Sequence, residues 1–120
     1  MKIRTCFVSN SSSSSFIFGF SYNVNDVISS LREYVLSLDE KDKLINNTDI
    51  KDFKHTLRDI ISKKNIDLLV KINDNKIVIG RKNDDKINDK IFEEQVYKNI
   101  KRLFDVKYND LKYLGGWYEN

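Results

Sequence analysis

The sequence predicts an α+β domain, a small antiparallel sheet with helices packed on it in the order ββ-αα-ββ-α-β. Three observations carry that expectation. Short runs of β-branched and aromatic residues alternate at period two, three longer segments repeat apolar residues at helical spacing, and the turn-forming cluster Asn73-Asp74-Asn75 separates two of the strand-like runs. A chain of 120 residues reads as a single domain over 1–120, long enough to bury a core without disulfides or metals.

Taken in order, Ile3 to Val8 and Phe16 to Tyr22 form the first strand pair, with Phe16, Phe18 and Phe20 on one face and Ser9 to Ser15 as the connecting loop. Asn23, Asn25 or Asp26 caps a first helix whose inward stripe is Val27, Ile28, Leu31, Tyr34, Val35 and Leu38. The charged stretch Asp39 to Asn47 reads as a loop. Thr48 or Asp49 then caps a second helix with Ile50, Phe53, Leu57, Ile60 and Ile61 inward, and Asn65 takes its left-handed C-terminal position. Ile66 to Ile72 and Lys76 to Lys82 make a hairpin about Asn73-Asp74-Asn75, and the unbroken Leu68-Leu69-Val70 suggests a strand covered on both faces. A third helix spans about Asn88 to Phe104 with Ile91, Val96, Ile100, Leu103 and Phe104 inward, and Val106 to Tyr118 supplies a final turn and strand.

Composition narrows function mainly by exclusion. A formal net charge of +3, with lysines and aspartates interleaved through most of the chain, favours solubility over a concentrated nucleic-acid face. One cysteine, Cys6, and one histidine, His55, exclude an internal disulfide and a Cys/His zinc site within one chain. No cofactor or metal is expected. The apolar run after Lys2 and Arg4 stops at Val8, too short for a signal-peptide core, and no later stretch reaches membrane-spanning length, so the expected location is cytoplasmic. The absence of proline and alanine, beside heavy use of Asn, Lys and Ile, marks an AT-rich genome.

No catalytic constellation emerges, and the chain is read as a non-enzyme. His55 falls opposite Phe53 and Ile50 on its helix and reads as a solvated residue with Asp59 one turn on, while Cys6 reads as a small buried hydrophobe. Asp84-Asp85 and Glu93-Glu94 read as solvated charge. Gly115-Gly116 lacks the lysine and threonine of a phosphate loop.

The binding residues are more informative. Ser9, Asn10, Ser11, Ser12, Ser13, Ser14 and Ser15 place many hydrogen-bonding groups between the apolar anchors Phe7-Val8 and Phe16-Ile17, and Tyr113, Trp117 and Tyr118 add the aromatic types enriched at protein interfaces. Together they form the candidate contact surface for a protein partner. Packing of the tail on the core is the competing role for Trp117. Nucleic-acid binding is the alternative, through Lys98, Lys101, Arg102 and Lys107 with Tyr97 and Tyr108 as stacking groups, although Glu93, Glu94, Asp105 and Asp110 interrupt that patch. A third reading makes the serine run a cradle for a nucleotide or phosphate, with Lys2 or Arg4 supplying charge.

Lys2-Ile3-Arg4 followed by Phe7-Val8-Ser9-Asn10, the five serines and Phe16-Ile17 resembles the opening of small bacteriophage and prophage proteins that share an N-terminal R-x-x-F-V-S-N-S-S-S-S-S-F signature. The resemblance covers about the first eighteen residues, and members often carry glycine where Cys6 stands. It implies origin without assigning a role to any residue. Small phage proteins of this class commonly bind and block a host macromolecule, including components of antiviral defence, and that is the function the resemblance suggests.

Overall fold

The computed structural model describes residues 16–47, 49–84 and 86–115. Its strands are β1 (Ile17–Tyr22), β2 (Leu69–Asn73), β3 (Lys76–Arg81) and β4 (Lys112–Leu114); its helices are α1 (Val24–Ser30), α2 (Leu38–Asn46), α3 (Ile50–Lys63) and α4 (Asp89–Lys101). The fold is α+β, with one antiparallel sheet in the order β2-β3-β1-β4.

The expected partner of β1, Ile3 to Val8, lies outside the described residues; both sides of β1 are taken by β3 and β4. Phe18 and Phe20 point to the helices and join the main core with Ile77 and Ile79 of β3, while Ile17 and Val78 are buried on the other face. Gly19 and Gly80 lie opposite each other in the register. A Cβ at Gly19 would sit 1.9 Å from the Ile79 carbonyl oxygen and one at Gly80 2.1 Å from that of Phe18, so only glycine permits this approach of the two backbones.

The first expected helix is broken by a tertiary contact. Leu31 bridges to Phe104, the Arg32 N–H donates to the Leu103 carbonyl (2.8 Å), and the Asp105 N–H donates to that of Ser30 (2.6 Å). These bonds hold Leu31 in an extended conformation, so α1 ends at Ser30 and a short 3₁₀ turn, Glu33–Val35, follows. Tyr34 and Leu38, expected inward, are instead 80% and 83% exposed. The stretch expected as a loop is helix α2, started by Ser37 and Glu40: each side chain accepts from the other's backbone N–H, at 3.1 and 3.0 Å. Leu44 anchors α2 in the core.

Helix α3 follows its stripe, with Phe53, Leu57, Ile60 and Ile61 buried and Asp49 accepting from the Lys51 N–H. It closes in a Schellman motif, Asn65 N–H to Ser62 O and Ile66 N–H to Ile61 O, with Asn65 at φ 56°. Asp74 and Asn75, at φ 52° and 62°, make the two-residue turn joining β2 to β3. Contrary to the reading of a strand covered on both faces, β2 is an edge strand with Val70 buried and Leu69 exposed. Helix α4 stops at Lys101, and Phe92 takes the inward place expected for Ile91, which is 53% exposed. Leu103 and Phe104 remain fully buried beyond its end.

Phe104 packs edge-on against Phe20 at 5.3 Å and holds the bridge that ends α1. Phe104→Ala is expected to lower unfolding stability by about 3–5 kcal/mol, read as a drop in urea midpoint. Ser37→Ala, which removes only a cap, should cost about 1 kcal/mol on the same measurement.

Candidate functional site

The sheet end beside β4 gathers a cluster of aromatic rings among the described residues, and α4 is its support. Asn88 starts that helix, its side-chain oxygen accepting from the Lys90 and Ile91 N–H groups at 2.9 and 3.3 Å. Phe92, Val96 and Ile100 bury one stripe, which turns Glu93 and Tyr97, one helical turn apart, to its flank. A 3₁₀ turn, Tyr108–Asp110, brings the Tyr108 ring edge-on to Tyr97 at 5.3 Å. Tyr113 of β4 stands opposite Phe18 of β1, with ring centroids 4.9 Å apart.

One carboxylate joins these pieces. Tyr108 Oη donates to Glu93 Oε1 at 2.5 Å and Tyr113 Oη donates to Glu93 Oε2 at 2.9 Å. The hydrogen bond to Glu93, then burial, pushes the Tyr108 phenol up to about 12; burial, then the bond to Glu93, pushes that of Tyr113 higher still. Both rings stay partly exposed. They are therefore amphipathic groups whose ring orientation is fixed by the shared carboxylate.

The same corner is where the chain enters and leaves the described fold. Ile17 and Leu114 are direct partners across β1 and β4. The Phe16 ring lies over Gly115, where a Cβ would fall 1.4 Å from Phe16 Cε1, so a side chain at 115 would have to displace that ring.

Of the sequence-derived contact residues, Tyr113 is in this cluster; Ser9, Asn10, Ser11, Ser12, Ser13, Ser14, Ser15, Trp117 and Tyr118 lie outside the described residues, as does Cys6. The cationic residues of the nucleic-acid reading have different surroundings. Lys98 is exposed on α4, the Lys101 ammonium sits 5.1 Å from the Tyr97 ring centroid, and the Lys107 N–H donates to Asp110 at 3.3 Å. Arg102 turns to the end of α3, donating to the Lys64 and Asn65 carbonyls at 3.2 and 3.4 Å, where it satisfies orphan helix-end acceptors.

Glu93, expected as solvated charge, is instead the acceptor that organises the cluster. Its partners Tyr108 and Tyr113 are fifteen and twenty residues away, so the i, i+4 relation to Tyr97 was the one local signal. His55 is exposed on α3, as expected, and among the described residues no group of three His, Cys, Asp or Glu side chains is placed to hold a metal. No helix among them is long and apolar enough to cross a membrane. Comparison with protein-family models, curated proteins and solved structures returned no match.

Because folding raises both phenol pKa values above the ordinary 10.0, the hydrogen bonds stabilise the fold fully below pH 10 and progressively less as pH rises towards 12 and beyond. Glu93→Gln should bring both tyrosines closer to ordinary titration, read by phenolate absorbance, and cost about 1 kcal/mol at neutral pH. The alkaline fall in urea midpoint should flatten in the same variant.

Proposed function

We propose that this chain is a non-enzymatic accessory protein that binds a host protein through the sheet end beside β4. The carrying observation is the convergence of Phe16, Tyr108, Tyr113 and Gly115 on one corner, with the two tyrosines oriented by a shared carboxylate. Covalent connection places Ser15 one peptide bond from Phe16, and Trp117 two residues from Gly115, so the serine run and the tail aromatics are tethered to that corner. Rigid tyrosine rings beside adaptable hydroxyls form the combination that protein-binding surfaces favour. The phage-like opening of the chain supports an origin in a phage or prophage, and within that class a host antiviral defence component is the partner we assign, with the host cytoplasm as the place of action.

Affinity capture from host lysate on the full chain is the test. The wild type is expected to retain a specific protein that a Tyr113→Ala/Trp117→Ala variant loses by at least about tenfold in affinity, equivalent to about 1.4 kcal/mol. Replacing Ser11 to Ser15 by glycines should weaken capture as well, whereas Glu94→Gln on α4 should not. Retention of nucleic acid in place of protein, with a steep loss on added salt, would transfer the function to the cationic alternative.

A further inference from the structure

The face of the sheet turned away from the helices carries a second surface. Residues paired across neighbouring strands share a face, so Ile17, Gly19, Ser21 and Leu114 lie on this side with Val78 and Gly80 of β3. Its centre is closed to solvent: Ile17 and Val78 are each 1% exposed, and Gly19 and Gly80, which stand between them, are buried. No described element accounts for that closure. The buried apolar side chains of the described residues form one cluster on the helix side, and Ile17 and Val78 are the two that do not belong to it. Side chains stand roughly perpendicular to a sheet, so lateral neighbours shield their flanks and leave their tips open. Two apolar tips at 1% exposure therefore require a layer above them, and the paired glycines, which contribute no side chain, let that layer approach the backbone.

We propose that this face is the docking site of the chain's own apolar run Ile3 to Val8, laid over Ile17, the glycine pair and Val78. Its connection and its composition select that occupant. Val78 pairs with Ser21, four residues along β1 from Ile17 and one strand across, a distance of about 14 Å. The seven residues Ser9 to Ser15, which join the run to Phe16 beside Ile17, span up to about 23 Å and cover it with slack. Trp117 and Tyr118 start from β4, one strand further away, and reach Val78 only with the backbone fully extended. Ile3, Cys6, Phe7 and Val8 supply the apolar surface, and Arg4 is the single charge within the run. Both sides of β1 are already paired, so the run acts as a cover in place of the neighbouring strand its sequence suggests. Docked there, it makes Ser9 to Ser15 a loop closed at both ends. The proposal is independent of the partner surface beside β4.

The test is nuclear Overhauser contact in the unaltered full chain, with isoleucine and valine methyl groups labelled. The Ile17 and Val78 methyls are expected to contact side-chain protons of Ile3, Phe7 or Val8, and a mixture of labelled and unlabelled chains separates contacts within one chain from those between copies. Phe7→Ser should remove these contacts and lower the urea midpoint, while the alkaline titration of Tyr108 and Tyr113 stays as in the wild type. Contacts from Val78 to Trp117 or Tyr118 alone would overturn the proposal in favour of the tail. Contacts found only between chains would overturn it in favour of a second copy, and methyls with no contact beyond the sheet would leave no cover at all and sink it outright.

Discussion

The central position of β1 organises the molecule. Its hydrogen-bonding groups alternate sides, so that Phe18, Phe20 and Tyr22 engage β3 while Ile17 and Gly19 engage β4, and its two faces bury Phe18 and Phe20 on one side and Ile17 on the other. A shift of one residue would exchange the faces and expel the phenylalanines from the core. The Gly19–Gly80 contact allows that pairing alone to bring the two backbones close. From this register follow the placement of β2 at the far edge and the meeting of Ile17 with Leu114 at the near one.

The second organising contact is the junction between Ser30–Arg32 and Leu103–Asp105. It trades continuation of a helix for backbone bonds to a distant segment and for full burial of Leu103 and Phe104. Arg32 adds a bond from Nε to the Lys101 carbonyl at 2.7 Å, and Arg102 caps α3 from the same helix end. The C-terminus of α4 thus ties α1 and α3 together. Arg102, a plausible phosphate ligand by residue type, serves as a structural clamp because unsatisfied helix-end carbonyls lie within its reach.

The two edges of the sheet differ in physical character. Beside β4, rigidity comes from Glu93 accepting from two tyrosines, and contact area comes from ring faces that stay half in solvent. Beside β2, the main-chain groups of Val70 and Ile72 face away from β3 with no partner strand among the described residues.

Local signals accounted for much of the architecture. The α+β class, the Asp49-capped helix with its Phe53 to Ile61 stripe, the left-handed Asn65, and the turn at Asp74-Asn75 depend on spacing and on residues that tolerate particular backbone angles, information carried within a few positions. The capping pair Ser37 and Glu40 was equally local, yet the apolar spacing through Leu38 concealed it. Tertiary structure alone decided where α1 stops, which strand lies at an edge, and what Glu93 does. Each depends on a partner far along the chain: Phe104 for Leu31, β1 rather than β2 beside β3's inner side, and Tyr108 with Tyr113 for a carboxylate whose neighbours in sequence resemble any solvated helix face. Periodicity reports which residues share a face, but the competition for backbone bonds and buried contacts that sets these outcomes exists only once the chain has closed on itself.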